Sequence, residues 1–230
     1  MRVNDLYARL ASIDAAAETR YLRIVLGTLL ALFMLGGYYV IGEWNATRFA
    51  TGEATPIDLA IPYIDDRIPT IPLWVWPYFL YIPFLVSSGF LQTSFRDFLF
   101  FCTNYGLASA VGFAFFVLFP ARMEYSAVEC AGVSCEALRQ LHAMDGGLNI
   151  FPSLHVSHCL LAMANFWYAR SRFLPVAALV AGAIIIATLF TGQHYVIDLP
   201  AGMVNAILAW SVARYVFMRV STERPENVAS

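Results

Sequence analysis

The stretch IVLGTLLALFMLGGYYVIG, residues 24–42, contains no charged side chain. A helix needs about 20 apolar residues to cross the hydrocarbon of a bilayer, and a charge at mid-membrane costs at least about 2.5 kcal/mol. The stretch therefore predicts a membrane span. Composition agrees, because 60% of the 230 residues are hydrophobic and 13% are charged, whereas soluble domains carry roughly 25% charge. These proportions exclude a disordered chain, a nucleic-acid binder held by a basic surface, and a small disulfide scaffold.

Further charge-free gaps follow along the chain, at residues 68–95, 98–121, 146–169, 173–197 and 199–213. The first four of these are each long enough for a helix that spans the membrane. The last is shorter and becomes adequate if Arg214 extends toward a headgroup and the helix continues through Met218. The sequence therefore predicts an all-α polytopic membrane protein, a bundle of six transmembrane helices.

The distribution of arginine predicts the orientation of this bundle. All 14 basic residues are Arg, and 10 of them fall on the side that would hold both termini, against 4 on the other side. Cytoplasmic loops carry the excess of positive charge. We therefore expect a multi-pass protein of the cell membrane with both termini in the cytoplasm and loops one, three and five outside.

The chain ends give weaker signals. Acidic side chains interrupt the segment 1–20, so we expect no cleavable signal peptide there. Apolar residues recur in that segment at helical spacing, at Leu6, Leu10, Ile13 and Ala17. Residues 1–20 are therefore either an interfacial amphipathic helix or a solvated tail, and residues 222–230 are predicted to form a flexible tail. Since no repeat or linker divides the chain, residues 1–230 are predicted to form a single membrane domain.

The four cysteines fall into two groups. Cys130 and Cys135 lie in loop three, where an external, oxidising compartment would let a disulfide persist, so we predict that they are bridged. Cys102 and Cys159 fall within predicted spans and are expected to be small packing residues.

Polar residues next to the spans are candidates for function, because membranes tolerate such groups poorly. They concentrate in residues 119–122, 149–155 and 191–198. On the orientation deduced from arginine alone, all three segments fall on the outer face. Separate parts of the chain therefore converge on one membrane depth.

Pro152 and Ser153 resemble the start of a helix. Unpaired backbone N–H groups and the positive end of the helix dipole can receive a phosphate there, with the Ser hydroxyl as an additional donor. His155 would lie within one turn of this phosphate seat. Alternatively, His155 is an interfacial histidine satisfied by a neighbouring carbonyl.

His194 and Asp198 are spaced i, i+4 in the sequence. On a continuous helix their side chains would share a face, and the carboxylate would hold one imidazole nitrogen and leave the other free for attack. If the helix breaks within this segment, Asp198 is instead an N-cap of the last span. Arg122 likewise has two interpretations, as an interfacial anchor or as a planar cation binding two phosphate oxygens.

These segments together resemble the type 2 phosphatidic acid phosphatase superfamily, and most closely its branch of inositol phosphorylceramide synthases. The second family motif, Pro-Ser-x-His, matches residues 152–155, and the core of the third, His-x-x-x-Asp, matches His194 and Asp198. Arg122 resembles the end of the first motif in its Pro-x-x-Arg version. Further features similar to the synthase branch are Asp145, Asn149 and the Pro-rich aromatic residues 71–78.

The resemblance covers roughly residues 60–215 and has departures. The Ser-Arg that precedes the third motif would fall on Ala187 and Thr188, and the Lys of the first motif has no counterpart because the chain has no Lys. Two phosphate contacts of the family are therefore missing, as is common in the synthase branch.

The resemblance implies a mechanism at the outer membrane face. His194 would attack phosphorus to form a phosphohistidine, Asp198 would orient it, and His155 would protonate the departing alkoxide. Ser153 and Arg122 would hold the phosphoryl oxygens. The implied substrate is a phospholipid or polyprenyl phosphate presented by membrane lipids, with water or an alcohol as acceptor. Neither a metal nor another cofactor is implied, and no nucleic acid.

Two other functions remain open. In a metal-dependent hydrolase, zinc would be bound by imidazole and carboxylate groups, with the candidate ligands His155, His158, His194 and Asp198. In a transporter or a non-catalytic lipid-binding protein, the same intramembrane His and Asp would relay protons or line a substrate path.

Overall fold

The computed structural model describes residues 18–222, with side chains from Thr19 to Met218. Within this range the regular structure is helical, apart from two isolated β-bridges. The predictions for residues 1–17 and for the tail beyond residue 222 lie outside it. The α-helices are α1 Glu18–Thr51, α2 Val75–Phe79, α3 Tyr81–Phe90, α4 Phe95–Leu118, α5 Val133–Asp145, α6 Leu154–Tyr168, α7 Leu174–Phe190 and α8 Asp198–Thr222.

The predicted all-α architecture is confirmed, and among the described residues four helical segments are long and apolar enough to cross a membrane. These are Thr19–Thr51, Pro72–Phe90, Phe95–Leu118 and Asp198–Met218. The fourth and fifth predicted spans contain the shorter helices α6 and α7, of 15 and 17 residues. At about 1.5 Å per residue they extend about 22 and about 26 Å, less than the roughly 30 Å of hydrocarbon.

Local signals explain where these helices begin and end. Ser94 caps α4 by accepting the N–H of Asp97, and Ser153 caps α6 by accepting the N–H of Val156. Proline stands in the first turn of α7, where its missing N–H has no cost. Helix α5 ends at Gly146, whose φ of 66° is the left-handed conformation that favours glycine.

Helix α6 lies at the centre of the bundle and packs against α3, α4, α7 and α8. Its buried face includes Cys159, Leu161 and Ala162, which join one apolar core with Ile184 of α7 and Ala206 of α8. Cys102 and Cys159 are free thiols within this bundle. Large apolar side chains are exposed on the outer helices, among them Leu32, Val40, Leu179, Ile207 and Leu208. Such surfaces suit contact with lipid.

Loops one, three and five meet at one end of the bundle. The Ile71 N–H donates to the Phe190 carbonyl at 2.8 Å, and Trp76 Nε1 donates to Ser134 Oγ at 3.0 Å. Loop three contains helix α5, which the charge pattern did not reveal. A disulfide joins Cys130 to Cys135 at its start, with Cα atoms 5.9 Å apart. The chain segments of all three candidate motifs therefore share one end of the molecule.

Candidate active site

His194 and Asp198 form a hydrogen-bonded pair. His194 Nδ1 lies 3.1 Å from Asp198 Oδ2, and both side chains are buried. No continuous helix carries the two residues, because α7 ends at Phe190, before His194, and α8 begins at Asp198. Asp198 Oδ2 also accepts the N–H of Tyr195 at 2.9 Å, which folds the intervening turn back onto the carboxylate. The pair forms without a continuous helix, and the carboxylate faces backward along the chain instead of capping α8.

The second histidine meets this pair directly. His155 Nδ1 lies 3.2 Å from His194 Nε2. Since a carboxylate accepts only, His194 donates from Nδ1, and its Nε2 carries the lone pair that accepts the Nδ1–H of His155. The aspartate and the two histidines therefore form a chain of hydrogen bonds, Asp198–His194–His155, in which His194 Nε2 carries an available lone pair.

Two tyrosines fix the ring of His155. The ring centroids of Tyr78 and Tyr81 lie 4.9 and 4.4 Å from that of His155. Tyr81 is itself held by a 2.6 Å hydrogen bond between its hydroxyl and His158 Nδ1. Sequence reasoning noticed the Pro-rich aromatic segment that contains Tyr78 but assigned neither tyrosine to the site, because nothing local links them to His155.

The start of α6 is locked to the start of α8. The Ser153 N–H donates to the Asp198 carbonyl at 3.3 Å, and Ser153 is fully buried. Ser157 Oγ donates to the Gly202 carbonyl at 3.0 Å. The predicted phosphate seat therefore adjoins the His194–Asp198 pair, with the first N–H groups of α6 lacking helical acceptors, as at any helix start.

Arg122 belongs to a short extended segment at the same end. Its backbone forms an isolated bridge with Leu148, and its N–H donates to the Ile57 carbonyl at 3.3 Å. The side chain is exposed, and within residues 18–222 its guanidinium has no hydrogen-bond or ion-pair partner. Leu148 shortly precedes Pro152, so Arg122 is positioned beside the segment that leads into α6.

A network of hydrogen bonds around one carboxylate, which the sequence did not predict, holds the segment that leads into α6. Asp145 accepts hydrogen bonds from the hydroxyls of Tyr38 and Tyr125, the second at 2.7 Å. Asn149 donates to the Tyr38 carbonyl at 2.7 Å. The network joins α1 to loop three, so the residues noted only for their similarity to the synthase branch hold the segment that leads into α6.

His142 and Asp65 anchor the segment that carries His194. His142 Nε2 donates to the Thr191 carbonyl at 2.7 Å, and its ring stacks on Tyr125 with centroids 3.8 Å apart. Burial lowers the pKa of His142 below its ordinary value, although Thr191 and Asp145 oppose the shift, so the ring is neutral near pH 7. Asp65 of loop one accepts the Val196 N–H at 2.8 Å.

The phenol of Tyr125 in loop three stays protonated. Burial, followed by the charge of Asp145, raises the pKa of Tyr125 well above its usual value. Its hydroxyl therefore acts as a hydrogen-bond donor to Asp145 and not as a base at neutral pH.

The candidate zinc ligands do not assemble. His158 Nδ1 is hydrogen-bonded to Tyr81, and its Nε2 lies 3.1 Å from Ser109 Oγ, so both nitrogens are occupied. Among the side chains that the structure describes, from Thr19 to Met218, no three of His, Cys, Asp or Glu are placed to hold a metal ion. His158 is therefore a buried histidine satisfied within the bundle.

The positions that replace the family's Ser-Arg offer no phosphate contact. Ala187 and Thr188 are both fully buried, and Thr188 Oγ1 donates to the Ile185 carbonyl within its own helix at 2.7 Å. The Thr188 carbonyl accepts the N–H groups of Gln193 and His194. Thr188 therefore shapes the turn that presents His194.

The chain matches the model of a known protein family. A family model described as the PAP2 superfamily matches residues 70–212, which include Arg122, Ser153, His155, His194 and Asp198. No curated protein and no solved structure matches significantly. Since the family match covers more than half of the 230 residues, the chain belongs to the PAP2 superfamily.

Proposed function

We propose that this protein is an integral membrane lipid-phosphate phosphatase or phosphotransferase that works through a phosphohistidine on His194. The PAP2 superfamily generally comprises phosphatases and phosphotransferases. The observation that carries the proposal is the hydrogen-bonded chain from Asp198 through His194 to His155, with separations of 3.1 and 3.2 Å. A carboxylate, a nucleophilic imidazole and a second imidazole in this order are the groups that covalent phosphoryl transfer needs.

In the first step, His194 Nε2 attacks phosphorus. The contact between the imidazoles opens to admit the phosphoryl group, the bond from Nε2 to phosphorus forms, and the bond to the lipid alkoxide breaks. His155 gives its Nδ1 proton to the departing oxygen. Asp198 stabilises the positive charge that develops on His194 and keeps the other proton on Nδ1.

In the second step, water or an alcohol attacks the phosphohistidine. Its proton passes to the neutral His155, the bond from phosphorus to Nε2 breaks, and the phosphate or the new phosphate ester leaves. Ser153, Arg122 and the first N–H groups of α6 hold the phosphoryl oxygens through both steps. These groups supply the charge stabilisation, so the mechanism uses no metal.

The proposed substrate class is a phospholipid or polyprenyl phosphate, drawn from the surrounding membrane. Within the superfamily we place the chain nearest the branch of inositol phosphorylceramide synthases. Support comes from Ala187 and Thr188, which replace the phosphate contacts that this branch commonly lacks. Asp145 and Asn149 support this placement as well, because both hold the segment that leads into α6.

We further propose six spans in one membrane domain, with both termini cytoplasmic and the site on the outer face of the cell membrane. The superfamily core occupies roughly residues 60–215 of this domain. The short helices α6 and α7 fit six spans because the non-helical segments beside them complete the crossing. Irregular backbone is tolerated at membrane depth only where protein buries it or it lines a cavity, and Asn149, Gln193 and His194 are buried. The disulfide in loop three also suits an oxidising exterior.

The proposal is tested by trapping the phosphoenzyme. Purified protein in detergent, incubated with radiolabelled phosphatidic acid or polyprenyl phosphate, should yield an acid-labile, base-stable phosphoprotein. His194→Ala should yield none. His142→Gln is the matched control, because the Gln amide can still donate to the Thr191 carbonyl that His142 holds, and it should retain the label.

Label in His194→Ala would refute the assignment of the nucleophile, and no label in the wild type with any substrate would favour a lipid-binding protein or transporter. Activity that is lost with a strong chelator would favour the metal-dependent hydrolase. Adding alcohols to the same assay separates transfer from hydrolysis, since a transferase forms a new phosphate ester that mass spectrometry identifies.

A further inference from the structure

A cavity of about 600 Å³ lies at the opposite end of the bundle from the histidines. It is an open cavity lined by the N-terminal part of α4, the C-terminal end of α6 with the residues that follow it, and the C-terminal part of α8. Its lining combines guanidinium groups with aromatic rings, namely Arg96, Arg170 and Arg214 with Phe100, Trp167, Tyr168, Trp210 and Phe217, together with Asp97 and Met218.

This cavity is separate from the candidate active site. His155 is the second residue of α6 and Tyr168 is its last, so the helical rise places them about 20 Å apart. Along α8, the rise from Asp198 to Arg214 is about 24 Å. A ligand in this cavity therefore cannot be the phosphoryl group that His194 attacks.

The charge balance of the cavity favours an anion. Among the described residues of the lining, three guanidinium groups face one carboxylate, and that carboxylate already accepts the Ser94 hydroxyl at 2.8 Å as part of the start of α4. Arg96 is positioned by a 3.0 Å hydrogen bond from its Nη2 to the Phe217 carbonyl. Arg170 and Arg214 are exposed, and neither guanidinium has an ion-pair or hydrogen-bond partner among the described side chains, Thr19 to Met218.

The aromatic wall favours a ligand with an apolar part. Phe100 is at its centre, with ring centroids 4.8 Å from Trp210, 5.5 Å from Tyr168 and 5.5 Å from Phe217. Trp and Tyr are typical of the headgroup level of a membrane. Arginine beside such rings is therefore placed where lipid phosphates and the upper parts of acyl chains lie.

We propose that this cavity binds an anionic phospholipid, with its phosphate held by Arg170, Arg214 and Arg96 and its acyl chain against the wall formed by Phe100 and Trp210. Arginine binds phosphate through paired N–H donors, and basic pockets between membrane helices recognise lipid headgroups. Inorganic phosphate could bind the guanidinium groups but has no apolar part to contact the aromatic rings. The lipid is therefore the ligand that fits the whole lining.

The test measures lipid retention. Full-length protein is reconstituted in nanodiscs of phosphatidylcholine containing a minor fraction of phosphatidylglycerol, then purified in detergent and analysed by native mass spectrometry. Wild type should retain phosphatidylglycerol, and Arg170→Gln/Arg214→Gln should retain at least about tenfold less. The charge-matched control is Arg20→Gln/Arg172→Gln, two exposed arginines outside the lining that should leave retention unchanged.

Three results would overturn the proposal. Equal retention in the wild type and the Arg170/Arg214 double variant would show that the cavity does not hold the lipid. Equal loss in the control would show general attraction to a basic surface. Displacement of the signal by inorganic phosphate would show a site for free anions. Phosphoenzyme formation in each variant checks folding, because neither pair of arginines lies near the histidines.

Discussion

At the scale of single residues, Asp198 sets the tautomer of His194. It is fully buried and holds Nδ1 at 3.1 Å, which leaves the lone pair on Nε2. The same carboxylate oxygen holds the Tyr195 N–H at 2.9 Å. One side chain therefore sets both the tautomer of the proposed nucleophile and the turn that presents it.

Asp198→Asn should keep the geometry and remove the charge. The amide oxygen can accept both N–H groups that Oδ2 accepts, so the tautomer of His194 is kept, but no negative charge stabilises the positive charge that develops on His194 during attack. We expect kcat to fall by about 10² to 10³, the loss typical when one group that stabilises developing charge is removed. The rate of phosphoenzyme formation in a rapid-quench experiment measures this, with thermal unfolding as the check on folding. A near-normal rate in a folded variant would contradict the role of the carboxylate.

His155→Ala should show a loss that depends on the leaving group. General acid catalysis contributes about 10² to 10⁴ in rate, but a nitrophenolate needs no proton to depart. We therefore expect a large fall in kcat with a lipid phosphate and a much smaller one with nitrophenyl phosphate. An equal loss with both substrates would mean that His155 does not protonate the leaving oxygen and acts on His194 in some other way.

Site residues whose partners are close in the sequence could be predicted, and those whose partners are distant could not. The spacing of His194 and Asp198 gave two alternatives, and in one of them the two side chains pair. Pro152 and Ser153 predicted the start of α6. The roles of all five site residues stay predictions until variants are assayed. Tyr78, Tyr81 and Asp65 were not found, because their partners are distant in sequence and only the packed bundle brings them together.

At the scale of helices, the site depends on the close approach of α8 to the start of α6. A Cβ added at Gly202 would lie 2.5 Å from the Ser153 carbonyl oxygen and 2.9 Å from Val156 Cβ. Glycine is therefore required for the backbones to meet and for Ser157 to reach the Gly202 carbonyl.

Gly202→Ala should force these helices apart. We expect a loss of about 1 to 3 kcal/mol in stability, the usual cost of overpacking, and a lower kcat because Ser153 and Asp198 shift relative to each other. Gly182→Ala is the control, since a Cβ there meets nothing within 4 Å, and alanine in a helix is more favourable than glycine by about 1 kcal/mol. Thermal unfolding in detergent compares the two variants. Equal unfolding midpoints would contradict the requirement for glycine at position 202.

Helix boundaries show what charge gaps can and cannot predict. The gaps between charged residues located each of the four helical segments that are long and apolar enough to cross a membrane, because a charge in hydrocarbon is costly whatever the fold. The gaps overestimated the length of α7, because the gap at residues 173–197 contains only the helix Leu174–Phe190. The difference is the uncharged, non-helical turn that carries His194. Helix α5 escaped notice because it is polar and lies outside any gap.

At the scale of the whole molecule, the bundle separates two kinds of chemistry. The histidines and the carboxylate network occupy one end, with loops one, three and five. At the other end, Arg23 donates to the carbonyls of Gln92 and Thr93 at 2.7 Å, and the arginine-lined cavity opens nearby. The orientation proposed from arginine counts requires these ends to face opposite sides of the membrane.

Cysteine labelling tests that orientation. In a background lacking the free thiols Cys102 and Cys159, Glu53→Cys in loop one and Ala169→Cys between α6 and α7 each add one exposed thiol without changing the arginine count. An impermeant maleimide should label Glu53→Cys in intact cells and Ala169→Cys only after permeabilisation. Because the bonded thiols Cys130 and Cys135 do not react, the background protein should stay unlabelled. The reverse pattern would place the histidines on the cytoplasmic side, and labelling of both in intact cells would mean that six spans do not separate the two ends.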